Sequence, residues 1–368
     1  MRARAVSLRK AQPSRTLVAV PMPADAESPP ASTRRADWVH RLPKAEVHLH
    51  LEGCVPLNAV ALDDPARAGV TFDPDTGVPQ FRDLAEFLAF LDHSCALVTD
   101  GTQVEHIAYE IARRAATSGV GHADVIFNPT HWPEWQADLD GFVERLDRGF
   151  EAGEADHGVT VALCLSLSRT QRAADSAALV DWLLAARPDR VVALSVDGNE
   201  AAAGRTGPRF APLFARARSA GLHTCAHAGE SSGPEGVRDA IEILHVERVD
   251  HGIRAVEDPA LVAKLAAEAV PLDVCPTSNV RLGVVASLAA HPVEQLRTAG
   301  VRVSLNTDDP LLFGTSVASE YAQCAQTFGW DRSVLGAIAR VSIESSFATQ
   351  DRRRELLSDL DDYLGLAR

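Results

Sequence analysis

From Leu42 onward the chain alternates short apolar runs with longer amphipathic stretches eight times over, and this alternation limits the possible folds more than any other feature. The short runs fall at residues 45–50, 122–128, 159–167, 191–196, 222–227, 248–251, 271–275 and 301–306. Most are almost continuously hydrophobic and end in Gly, Pro, Asp or Asn, the pattern of parallel strands buried on both faces. Between them, residues 173–186, 211–220, 237–244 and 259–268 place apolar side chains at helical spacing. Repeated strand–helix units predict a closed (β/α)8 TIM barrel, in preference to an open doubly wound sheet. The first connection is the exception. Roughly residues 53–120 separate the first two strands, room for several extra helices, one of them over residues 81–98. An insertion after a barrel strand lies at the C-terminal face, where it can roof an active site.

With 368 residues, 46% of them hydrophobic, the chain can bury one large core, and residues 37–368 are expected to form one barrel domain. Residues 1–36 differ: seven Lys/Arg stand against two Asp/Glu among many Pro, Ser and Ala, and the apolar patch at 17–20 is too short for a secretory core. They read as a disordered or processed tail. The net charge of −14 argues against non-specific binding to nucleic acid or an anionic membrane, and no apolar run is long enough to span a bilayer. None of the six cysteines forms a CxxC pair, and Cys164, Cys225 and Cys275 fall in strand-like runs. Buried reduced thiols and a cytoplasmic protein are expected.

The polar residues suited to metal chemistry cluster at the C-terminal ends of the expected strands: His48 and His50, His227 and Glu230, His251, and Asp308 with Asp309. In a barrel those ends converge on one pocket. His48 and His50 are two residues apart, so on a strand both imidazoles project to the same side. His227 and Asp308 can complete a four-ligand shell, and three imidazoles with one carboxylate suit zinc, with iron or manganese as alternatives. Such a metal lowers the pKa of a bound water toward ~7. One metal is favoured over two, because the only lysines, Lys10, Lys44 and Lys264, lie away from strand C-termini and none can serve as a carboxylated bridge.

Four motifs carry a family resemblance. The run from Leu42 to Gly53, containing His48-Leu49-His50-Leu51-Glu52-Gly53, resembles the opening motif of the adenosine deaminase family. His227-Ala228-Gly229-Glu230, Asp250-His251-Gly252 and Ser304-Leu305-Asn306-Thr307-Asp308-Asp309-Pro310 are similar to its motifs after strands five, six and eight. Cys275-Pro276-Thr277-Ser278-Asn279 resembles its strand-seven segment. The resemblance spans roughly residues 42–350. It implies one Zn2+ per chain on His48, His50, His227 and Asp308, and an aminopurine as substrate. By the same resemblance Glu230 protonates purine N1 and makes C6 electrophilic, while His251 orients or deprotonates the attacking water. Asp309 then bonds the N7 side, and the backbone N–H of Gly198 reaches N3. The Pro-Cys-x-x-Cys pair of the other zinc deaminase design is absent.

The reaction expected first is deamination of adenosine or 2′-deoxyadenosine, with adenine or a modified aminopurine as the alternative. Glu52 favours the alternative, since many adenosine deaminases carry Asp at that place, close to the ribose 5′-hydroxyl. Phe127, His131 and Trp132 are candidates to stack on a heterocycle or to pack beneath the insertion. Phe87, Leu88, Phe90 and Leu91 form a helical stripe that suits either a lid over the purine or the core. No nucleic-acid or membrane partner is expected, and a monomer and a homo-oligomer both remain open.

Overall fold

The computed structural model describes residues 38–57, 70–205 and 207–366. The tail expected at 1–36 and part of the first insertion lie outside the described residues. Eight strands form one all-parallel sheet in chain order: β1 (Lys44–His50), β2 (Val120–Phe127), β3 (Thr160–Ser168), β4 (Val191–Asp197), β5 (His223–Ala228), β6 (Arg248–His251), β7 (Leu272–Val274) and β8 (Val303–Leu305). Beyond β8 the chain bridges Leu49 to Asp308 in parallel register. There the His50 N–H donates to the Asp308 carbonyl at 2.8 Å and the Asp308 N–H to the His48 carbonyl at 3.1 Å. These two bonds join the last strand's extension to the first, so the expected (β/α)8 barrel is what forms.

The strand runs are buried because both faces of the sheet are covered: side chains fill the barrel and helices lie outside. Inside, a fully buried Arg248 bonds Asp124 Oδ2 at 2.6 Å and lies over the Phe347 ring at 3.9 Å. The last two strands are shorter than their apolar runs suggest. Pro276 starts a helical turn straight after Cys275, and beyond Leu305 the chain keeps only single ladder bonds, Asn306 to Val274 and Asp308 to His48 and His50, as it turns to carry Asp308 and Asp309.

Extra structure between β1 and β2 comprises a small hairpin (Thr71–Phe72 with Pro79–Gln80), helix α1 (Leu84–Ala96) and helix α2 (Gly101–Thr117). Asp83 caps α1 by accepting from the Glu86 N–H at 2.9 Å, and Asp100 with Gln103 forms a capping box on α2. Helix α2 packs on α3 (Leu139–His157) as part of the barrel's outer ring, whereas α1 sits over the strand ends. Its ring Phe87 stacks on Phe313, from the turn after β8, with centroids 5.2 Å apart. The expected roof is therefore α1 docked on the loop that follows the last strand. All six cysteines are free and buried. No helix among the described residues is long and apolar enough to cross a membrane.

Candidate active site

Strand alternation puts His48 and His50 on the same face at the end of β1, and barrel closure brings Asp308 beside them. The His227 Nε2 atom lies 3.1 Å from His48 Nε2 and 2.9 Å from His50 Nε2. Asp308 Oδ1 is 3.3 Å from each of those two imidazole nitrogens. All four side chains are buried. Four donors at these separations match the edges of a polyhedron around an ion with bonds of about 2.0–2.2 Å. The hydrogen bonding points the same way. His48 Nδ1 faces the Asp273 carbonyl at 3.1 Å, so a neutral ring donates there and turns a lone pair on Nε2 toward the other imidazoles. Nitrogen lone pairs facing one another in a dry site repel unless a cation lies between them. With no cation bound, burial opposes charge on His48, yet the neighbouring Asp308 carboxylate overcomes it and raises the pKa to about 9; the cluster thus draws in positive charge, and a metal ion would take the place of that proton on Nε2. Burial holds His50 down at about 4. The donor set fits one cation.

A ring of further groups orients these donors. Ser278 donates its hydroxyl to Asp308 Oδ2 at 2.6 Å, and Asp250 Oδ2 lies 3.4 Å from His227 Nδ1. Asp308 and His251 both have left-handed backbone, with φ of 66° and 64°. For non-glycine residues this costs energy, and packing must sustain it. In both cases the twist turns a side chain from the strand end into the pocket.

Next to the donors stand Glu230, His251 and Asp309. His251 Nε2 lies 3.6 Å from Glu230 Oε1 and 3.8 Å from Asp308 Oδ2. Burial, then the negative charges of Asp308 and Glu200, push the Glu230 carboxyl up to about 8, so it holds a proton at neutral pH. Burial and the adjacent Asp308 push Asp309 well above the usual carboxylate range as well. Gly53 explains how Asp309 fits. A Cβ there would come within 2.4 Å of the Asp309 Cα, so only glycine lets the two segments touch.

The loop carrying Glu230 is held by a residue that sequence reasoning missed. Glu200 Oε2 accepts from the backbone N–H of Glu230 at 2.9 Å, Ser231 at 3.0 Å and Ser232 at 3.3 Å, while Oε1 accepts from the Gly229 N–H at 3.0 Å and the Ser232 hydroxyl at 2.8 Å. Burial opposes its ionisation, but the Arg169 charge and these bonds outweigh that and keep its pKa low. The only sequence signal was its place two residues after Gly198.

The pocket above the donors is walled by Leu84, Phe87, Leu88 and Leu91 of α1, with Leu282, Asp197, Gly198 and His131 around the rim. Phe87 of the α1 stripe is on the pocket side. Phe90 is not: it is buried between Phe72 and Phe81, so it belongs to the roof's own core. Glu52 is completely buried, accepting from the Asn128 N–H at 2.8 Å and the Trp132 indole at 2.7 Å. Trp132 therefore serves Glu52 and does not wall the pocket, and Phe127 packs on Phe142. Burial opposes charge on His131, but its 2.6 Å contact with Asp92 and the charges of Glu52 and Asp197 raise its pKa to about 9.

A family model described as adenosine deaminase matches residues 43–363. The chain belongs to the adenosine deaminase family. Its relatives include an adenine deaminase from Streptomyces coelicolor, 36% identical over 90% of this chain and 98% of that protein. An aminodeoxyfutalosine deaminase from the same organism is 33% identical over 89% of this chain and 85% of its own length. Among solved structures, adenine deaminase from Arthrobacter aurescens superposes with a TM-score of 0.79 at 31% identity, covering 88% of this chain and 99% of that one. An amidohydrolase from Burkholderia ambifaria with bound Zn superposes at 0.78 and 26% identity, covering 92% and 95%. This family member is thus a hydrolase that deaminates, with a buried donor cluster suited to a metal.

Proposed function

We propose that the chain is a zinc-dependent adenine deaminase, adding water at C6 of the free base and releasing ammonia to give hypoxanthine. The observation that carries this reading is the lining of the pocket, in which the apolar face of α1 closes over the carboxyl groups of Glu230 and Asp309. Among the described residues lining it there is no Lys or Arg to meet a phosphate. Such a lining suits a neutral flat heterocycle and offers no ammonium or guanidinium partner to the phosphate of a nucleotide. Glu52 adds support, since its Oε1 accepts from Asn128 and Trp132 and the residue is not among those that line the pocket, where a ribose would meet it. The relatives named adenine deaminase weigh the same way, so the adenosine reading takes second place.

His48, His50, His227 and Asp308 would hold one Zn2+, which would supply Lewis-acid activation of the attacking water at neutral pH. Glu230, kept protonated by burial, donates to N1 and draws electron density from C6. Asp309, also kept protonated, donates to the N7 lone pair. The Gly198 N–H bonds N3, and His251 faces the water across from Glu230. The apolar face of α1 covers the base and excludes solvent.

The test is ultraviolet assay of adenine, adenosine and aminodeoxyfutalosine in parallel on zinc-loaded protein. Preferential conversion of adenine is expected. Preference for either nucleoside would overturn the substrate assignment and leave the chemistry in place.

A further inference from the structure

His251 acts on the water through the ring nitrogen that faces the site, and its neighbours decide whether that nitrogen bears a hydrogen. Nε2 faces Glu230 and Asp308, while Nδ1 points away, 3.3 Å from Asn279 Nδ2. Asn279 Oδ1 lies 3.1 Å from His291 Nε2, and His291 Nδ1 accepts from the Val293 backbone N–H at 3.1 Å. All three side chains are buried.

The far end of this series fixes its polarity. A backbone amide only donates, so His291 Nδ1 carries a lone pair. Burial lowers the His291 pKa to about 4, which keeps the ring neutral, and a neutral ring then bears its one hydrogen on Nε2. That hydrogen goes to Asn279 Oδ1, which turns the amide NH2 toward His251. The opposite amide orientation would ask His291 to accept at both nitrogens, which a neutral imidazole cannot do. His251 Nδ1 is therefore an acceptor.

We propose that Asn279 and His291 are positioning residues that lock neutral His251 in the Nε2–H tautomer, so that it offers a hydrogen to the attacking oxygen and not a lone pair. The inference rests on His251 facing that water, as in the deaminase reading above. A group fixed in this way stabilises negative charge gathering on oxygen and needs no rearrangement during the reaction.

The experiment is long-range proton–nitrogen NMR of zinc-loaded protein labelled with 15N-histidine, with the His251 signals assigned by their loss in His251→Gln. Wild type should show His251 protonated at Nε2 and bare at Nδ1. Asn279→Asp, nearly isosteric but with only acceptors, should move the proton to Nδ1 and lower kcat by about 10²–10⁴-fold with KM changed little. His291→Gln keeps a donor toward Asn279 and should retain most activity, whereas His291→Leu should behave like Asn279→Asp. A proton on Nδ1 in the wild type overturns the proposal, even where a variant does not fold. So does an Asn279→Asp enzyme with an unchanged spectrum and kcat. The spectrum needs no turnover, so a wrong substrate leaves this result standing.

Discussion

Removing the Glu200 carboxylate should damage both stability and catalysis, for one structural reason. Five donors converge on it, four of them consecutive backbone N–H groups from Gly229 to Ser232. In Glu200→Ala the N–H groups of Ser231 and Ser232, only partly buried, can turn to water, but those of Gly229 and Glu230 are buried. Each stranded buried donor costs about 1–3 kcal/mol, so a loss near 4 kcal/mol is expected. Arg169, 4.0 Å away and also donating to the His227 carbonyl, loses a counter-charge, which adds to the cost. Relaxation of the loop moves Glu230, and a displacement of about 1 Å at a reacting group is worth roughly 10²-fold in rate. Glu200→Gln should fall between, since one oxygen becomes a donor facing donors. Urea denaturation reads the first effect and kcat the second. If Glu200→Ala unfolds at the wild-type urea midpoint and turns over normally, the carboxylate is not what holds Glu230, and the reasoning fails.

In the proposed reaction Glu230 must carry its proton to donate it. Its carboxyl is pushed up to about 8, so activity should persist below that pH and fall as pH rises through it. A bound cation lowers the value, placing the alkaline limb at or below that point. Glu230→Gln should cut kcat by on the order of 10²–10⁴-fold and abolish the limb while zinc content stays at wild type; a limb that survives would assign it to another group. Dialysis against a chelator should remove activity, with recovery complete at one equivalent of zinc by metal analysis. A requirement for two equivalents would rule out the single-ion site. Gly53→Ala must displace the Asp309 backbone, so KM should rise more than kcat falls if Asp309 binds the purine; unchanged kinetics would count against that contact.

Much of the molecule was legible because the relevant signals are local. Eight apolar runs marked the barrel strands, and two-residue spacing aligned His48 with His50, since side-chain direction along a strand depends only on the strand. Asp308 and His251 were placed at strand ends by position, though their left-handed backbone was not foreseeable. On α1 the stripe was visible, but its division was not. Phe87 faces the pocket and Phe90 the hairpin because of where Phe72, Phe81 and Phe313 dock.

The linear sequence by itself determined the barrel and which side chains stand as candidates for the chemistry, because periodicity and residue chemistry act within a few positions. Only the tertiary structure decided what governs those side chains. Trp132 reaches Glu52 across 80 residues, Glu200 gathers N–H groups about 30 residues on, and His291 meets Asn279 from 12 residues away. Pocket lining, protonation and tautomer follow from such long-range meetings, since burial and hydrogen bonding are properties of neighbours in space and not of neighbours along the chain.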